Sequence, residues 1–284
     1  MANADVQLRQ FLRSLAQFVR ADVPRAETER ALDKWAIIAC QAMYFERTDL
    51  VERAITVFHE AYAALPMVGA DIVEKRLAIV IRLYVVGSMA VRMGAWTVIT
   101  SIVQRPAQID PTDYEYVHSS WIRHGHVEAA RASLTGDAAQ GGYLISVARE
   151  LMVAQPSMRP DVHESLVATA SNPAADDTLL NSLCQFDILY CLLVAAEGQT
   201  SVRSFYPSTA AFDESRADPA LVKIAGDNTV RTTLFPNSND GEIAGAIYKV
   251  VRLAMQEAFN FGGRWWGPPP SVQAFLIQNG HQEA

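Results

Sequence analysis

Between Asp71 and Arg92 the chain reads DIVEKRLAIVIRLYVVGSMAVR, and Leu77, Ile79, Val80, Ile81, Leu83, Tyr84, Val85 and Val86 occupy nearly every side of a helix rather than one stripe. A helix that is apolar all round must be covered on several sides by other elements. It therefore predicts a central helix with neighbours packed about it, and the rest of the sequence supplies those neighbours.

Leu8, Phe11, Leu12, Leu15 and Val19 form the apolar stripe of a first helix, and Pro24 closes the linker after it. Leu32, Trp35, Ile38, Ala39, Ala42 and Phe45 recur at helical spacing on a second. Asp49 with Glu52 has capping-box spacing and starts a third, whose inward face is Ile55, Phe58, Tyr62 and Leu65. After Gly94, Trp96, Ile99 and Val103 continue the pattern, and Thr112 with Glu115 opens a helix running through Trp121 to about Ala132. Leu144–Val153 reads as a helix between the Gly136–Gly142 loop and a turn-rich stretch holding Pro156, Pro160 and Pro173.

Asp177 is placed to cap a helix carrying Leu180, Leu183, Cys184, Asp187, Ile188, Cys191, Leu192 and Ala195, ending at Gly198. QTSVRSFYPSTAAFDESRADPAL then breaks the pattern with Pro207 and Pro219, and reads as the longest irregular region. Asn239 with Glu242 is another capping box, for a helix facing inward through Ile243, Ile247, Val250, Val251, Ala254 and Phe259. Alternating β-branched runs bounded by turns are scarce, so the fold class is all-α: an irregular multi-helix bundle or short αα-superhelix with antiparallel neighbours. Residues 1–198 make the paired-helix region, and 199–284 a loop with C-terminal helices packed on the same core. No fixed repeat period emerges.

Composition narrows the function classes. The 284 residues carry 31 acidic against 24 basic side chains, a net charge of -7, with no basic block to neutralise a run of phosphates, so direct nucleic-acid binding is not expected. The best membrane candidate, Ala78–Val103, is interrupted by Arg82, Arg92 and Gly94 and reads as two buried helices. The opening MANADVQLRQFLRSLAQFVR has polar residues where a secretory signal needs an apolar run, so a cytoplasmic location with no membrane is expected. Cys40, Cys184 and Cys191 are too few and too dispersed for a disulfide framework and read as reduced core residues.

Three groups of residues invite a chemical reading. In HSSWIRHGHVEAAR, His124 and Glu128 are four apart and share a helix face, while His126 lies about 200° round and His118 on another side, so no three ligands converge and no metal is assigned. Paired carboxylates occur at Asp176-Asp177 and Asp213-Glu214, but Asp176-Asp177 lacks a third carboxylate four residues after the first and NSNDGE lacks the spacing of the second acidic motif that holds magnesium pyrophosphates on facing helices. Asp187, inside an apolar helix, needs an arginine or several donors and predicts a structural ion pair. No phosphate loop, dinucleotide turn, nucleophile elbow or zinc-protease helix is present, and no cofactor is expected.

FNFGGRWWGPPPSVQAFL places Trp265 and Trp266 between Gly262-Gly263 and three prolines. Either Gly262 or Gly263 ends the preceding helix and Ser271 caps a last one carrying Val272, Phe275, Leu276 and Ile277, or the tryptophans offer aromatic faces to a ligand beside Arg264.

From about Arg76 to Asn279 the segments LYVVGSMAVRMGAW, SSWIRHGHVEAARASL, AAEG...FYPSTAAFDESR, LFPN and EAFNFGGRWWGPPP resemble the helical C-terminal region of large bacterial ATP-binding proteins. That resemblance implies a sensor or scaffold region accompanying a nucleotide-driven module, though this chain carries no ATPase motif of its own. The expected function is a non-catalytic interaction or sensor module. It binds a protein partner or ligand through its helical surface and the 202–219 loop, with Phe205, Arg264, Trp265 and Trp266 as binding residues and homo-oligomerisation open. The alternative is a small-molecule or metal-dependent hydrolase in a helical bundle, using His124, Glu128 and Asp213.

Overall fold

The structure is a computed structural model that describes residues 2–66, 70–104, 143–159, 173–196, 214–260 and 267–281. Among these residues the apolar spacing produces eleven α-helices, one 3-10 turn and no strand, so the chain is all-α. In chain order they are α1 (Ala2–Ala16), α2 (Arg25–Tyr44), α3 (Thr48–Ala64), α4 (Ala70–Met93), α5 (Trp96–Gln104), α6 (Tyr143–Ala154), the turn Pro156–Met158, α7 (Pro173–Ala196), α8 (Glu214–Gly226), α9 (Asn228–Leu234), α10 (Asp240–Asn260) and α11 (Pro270–Gln278).

Every residue from Leu77 to Ala90 is buried, as an all-round apolar helix requires. α4 is packed by α2, α3, α5, α6 and α7, and α7 by α4, α5, α6, α8 and α10. The buried side chains form one continuous cluster with members from every helix. α7 is a second all-round helix: beyond the single face read from its sequence, Phe186, Leu189, Tyr190, Leu193 and Val194 are also buried. Among the described residues Thr178–Ala196 is the one stretch long and apolar enough to cross a membrane, but 78% of that window is covered by the bundle.

α4 and α7 approach closely because position 87 has no side chain. A Cβ on Gly87 would overlap the Phe186 ring. The space it leaves lets Tyr84 meet Phe186 edge-on, with centroids 5.1 Å apart. Trp35 Nε1 donates to the Leu12 carbonyl at 3.1 Å and its ring meets Phe58 edge-on at 5.3 Å, tying α1, α2 and α3 together. Lys75 is buried and gives its ammonium to the carbonyls of Arg20, Ala21 and Val23 at 2.8, 3.1 and 2.6 Å. Those carbonyls lie just past the end of α1, where helical partners have run out, so one lysine fixes the α1–α2 connection.

Three helices end in the same way. α4 finishes at Gly94, with φ +64°, the Ala95 amide donating to the Ala90 carbonyl and the Gly94 amide to Val91. α11 finishes at Gly280 with the matching pair from His281 and Gly280. α2 makes the same turn at Glu46, a residue with a Cβ at φ 56°.

Several local expectations are corrected. Asp49 and Glu52 form no capping box: α3 begins at Thr48 with no side-chain cap, because Asp49 pairs with Arg47 at 3.2 Å instead. α7 starts at Pro173, so Asp177 lies inside it and is not its cap. Residues 214–221 are helical, not irregular. Pro219 sits inside α8, and burial of Ala217, Ala220, Leu221 and Ile224 offsets the hydrogen bond it removes. Ser271 is within α11, whose start is set by Pro269 and Pro270. Phe11, Phe45 and Ile277 are exposed, at 42%, 64% and 52%. Thr112, Glu115, Trp121, Gly198, Pro207, Gly262 and Gly263 lie outside the described residues. The Asn239–Glu242 box is formed in full, with the Glu242 amide on Asn239 Oδ1 at 3.0 Å and the Asn239 amide on Glu242 Oε2 at 2.8 Å. The three cysteines are buried and form no disulfide.

Two substitutions test this packing. Gly87→Ala is expected to cost about 1–3 kcal/mol in urea unfolding, with part of the loss recovered by adding Phe186→Leu. Glu46→Gly is expected to stabilise by roughly 1 kcal/mol, because glycine adopts the left-handed turn without the Cβ penalty.

Candidate functional site

The seven residues expected to catalyse or bind, His124, Glu128, Phe205, Asp213, Arg264, Trp265 and Trp266, lie outside the described residues, as does the 202–213 part of the expected binding loop. The 214–219 part is the first half of α8. The positions that are described offer three places where polar chemistry gathers.

The first is sealed inside. Asp187 on α7 is fully buried, and Tyr84 on α4 donates its hydroxyl to Asp187 Oδ1 at 2.6 Å. One of the donors that a buried carboxylate needs is thus a phenol from another helix, and the two residues are 103 positions apart. Tyr190 and Cys191 flank the pair. Burial pushes the Tyr84 hydroxyl well above its ordinary value, and the negative charge of Asp187 adds to the effect. Burial followed by the Asp187 charge does the same to the Cys191 thiol, and burial followed by Tyr62 to Tyr190. A thiol held in its neutral form inside the core is a poor nucleophile. The cluster serves the fold: it lets a carboxylate sit between two apolar helices with a charge-assisted hydrogen bond.

The second place is a groove of about 680 Å3 along α10, lined by Tyr248, Lys249, Arg252, Leu253, Met255 and Gln256. Those positions follow i, i+1, i+4, i+5, i+7 and i+8, the face left over once Ile247, Val250, Val251 and Ala254 turn inward. Tyr248 is the centre of its polar end. The His281 ring stacks on it at 5.2 Å and 25°, and Arg252 places its guanidinium 5.6 Å from the ring centroid while Nη1 donates to the Tyr248 hydroxyl at 2.9 Å. α10 runs out at Asn260 into the chain segment that holds Arg264, Trp265 and Trp266. The spacing of Tyr248 and Arg252 was visible in the sequence as a helical i, i+4 pair. The stacking of His281 was not, since it depends on how α11 returns to α10.

The third is a smaller cleft of about 230 Å3 between α2, α4 and α6. Its inner wall holds the Arg82 guanidinium against Asp33, at 3.0 Å from Nε and 2.7 Å from Nη2, and its mouth holds Arg25 between Glu29 and Glu74. Arg82 is one of the charges that interrupt the apolar run of α4. Its partner on α2 is what allows an arginine to be buried there. Among the described residues no group of three His, Cys, Asp or Glu side chains is placed to hold a metal ion.

No family model, curated protein or solved structure matches the chain.

The buried pair makes stability depend on pH in a known direction. Tyr84 and Cys191 hold their protons in the folded state beyond the ordinary values of 10.0 and 9.0. The unfolded chain gives those protons up first, so this stabilisation is complete below about pH 9 and is lost as the pH rises through 9 and 10 toward the folded values. The urea midpoint is expected to fall between about pH 8 and about pH 10.5, and the fall to be smaller in Tyr84→Phe. At neutral pH Tyr84→Phe is expected to cost about 1–3 kcal/mol, because Asp187 loses its Tyr84 donor.

Proposed function

We propose that the protein is a non-catalytic helical interaction or sensor module that engages a protein partner through the outer face of α10 and the segment leading from it to α11. The observation that carries this reading is the α10 groove, where Tyr248, Arg252 and His281 form one stacked, hydrogen-bonded unit beside the apolar side chains of Leu253 and Met255. Tyrosine, arginine and methionine are the residue types enriched where proteins meet, and a preorganised aromatic loses little freedom on binding. No carboxylate lines the groove among the described residues, in a chain whose net charge is -7. An acidic partner segment would therefore be drawn to this face rather than to the rest of the surface.

The sequence resemblance supports the same reading, since it implies a sensor or scaffold part that works beside a nucleotide-driven one. Arg264, Trp265 and Trp266, which follow α10 in the chain, belong to the proposal on sequence grounds alone, as do Phe205 and the 202–213 stretch. Among the described residues nothing favours the hydrolase built on His124, Glu128 and Asp213.

The test is quantitative co-purification from native lysate, comparing the parent chain with Tyr248→Ala, Arg252→Ala and Trp265→Ala. A specific co-purifying protein is expected with the parent. Its yield should fall about tenfold or more in Tyr248→Ala and Arg252→Ala, with the melting temperature unchanged within about 2 °C. Equal recovery by all three variants would contradict the proposal.

A further inference from the structure

The charged groups of the α2–α4–α6 cleft are arranged in two tiers. The inner tier is self-contained: Arg82 donates to Asp33 and, through Nη1, to the Ala78 carbonyl at 3.3 Å, and Gln155 Nε2 donates to the second Asp33 oxygen at 2.8 Å. The outer tier differs. Arg25 Nε meets Glu29 Oε1 at 2.9 Å and its Nη1 meets Glu74 Oε2 at 3.2 Å, so carboxylates from two helices straddle one guanidinium. The Arg25 side chain is 52% exposed and that of Glu74 only 19%, which leaves the cation open to solvent and the carboxylate fixed in the wall. The rest of the lining among the described residues is aliphatic, including Leu77, Ile81, Val147 and Leu151.

We propose that this cleft binds a small organic cation, an amine or guanidine carried on a short aliphatic body, and that Arg25 occupies the cation's position when the site is empty. The Arg25 side chain is half exposed, so its guanidinium can swing out into water when another cation takes its place. Once it swings away, Glu29 and Glu74 present two carboxylates to the incoming charge, and the aliphatic wall covers the body behind it. The Arg82–Asp33 pair, already satisfied, closes the inner end without competing for the ligand. An anion entering the same space would meet Glu29 and Glu74 and be repelled. The volume corresponds to about seven waters, which limits the ligand to roughly six to eight non-hydrogen atoms. The proposal is independent of the α10 surface.

Titration calorimetry and thermal unfolding of the full chain test it, with n-pentylamine and n-pentylguanidine as probes and n-pentanoate as the control of opposite charge. Both cations are expected to bind and to raise the melting temperature with concentration, while pentanoate does neither. Arg25→Ala is expected to tighten cation binding about fivefold, and Glu74→Gln to weaken it about tenfold. A loss of fold cannot imitate the gain expected from Arg25→Ala. The proposal fails if neither cation binds the parent or Arg25→Ala at about 10 mM, if pentanoate binds equally well, or if Glu74→Gln leaves binding unchanged. Cation binding that Arg25→Ala does not tighten would overturn the assignment of Arg25 to the ligand's position.

Discussion

The fold depends on one close approach, that of α4 to α7 at Gly87. With no Cβ there, the Phe186 ring fills the gap, and α4 can lie near enough for Tyr84 to reach Asp187. Both helices are apolar around their circumference, so neither has a solvent face of its own; each must be clad by others. α2 and α3 clad the first, α8 and α10 the second, and α5 and α6 touch both. The outer helices can then be amphipathic in the ordinary way, with one side buried and one side left for other work.

Asp187, Arg82 and Lys75 are each brought into this core by a partner that arrives from a different segment. Asp187 has Tyr84, Arg82 has Asp33, and Lys75 has three carbonyls of the α1–α2 connection. Ser88 and Ser182 also turn back on the carbonyls of Val85 and Leu179 within their own helices. Burying a charge without such a partner would cost more than the surrounding packing contributes. These contacts also specify which helices are neighbours, because a tyrosine or lysine displaced by one turn would leave its partner stranded.

What could be read in advance divides along the same line. The central role of α4 was plain from composition alone, since no single-faced helix accommodates Leu77, Ile79, Val80, Ile81 and Leu83 together. Capping was legible only where nothing competed for the cap. Asn239 and Glu242 exchange both of their hydrogen bonds, whereas Asp49 is taken by Arg47 two residues earlier. Pro219 was read as a helix breaker because local propensity ranks it so, and burial of Ala217, Ala220 and Leu221 outweighs that preference. α9 was passed over although Asp227 caps it, its side chain accepting from the amides of Thr229 and Val230, because seven residues give too few turns for a period to emerge. Tyr84–Asp187 and Tyr248–His281 are tertiary contacts, and spacing along a chain carries no record of them.

The two surface features follow from the same architecture. The α10 groove is the outer flank of a helix whose inner flank seals α7, and the smaller cleft opens between α2, α4 and α6. Both stand on helices anchored to the α4–α7 pair, which is therefore the element to test. Native-state hydrogen exchange read by mass spectrometry does so most directly. If α4 and α7 are the joint core, amides within Leu77–Ala90 and Leu183–Val194 exchange together, last of all, and only through global unfolding. Earlier exchange of either segment than of α2 or α10, or separate rates for the two, would contradict the account.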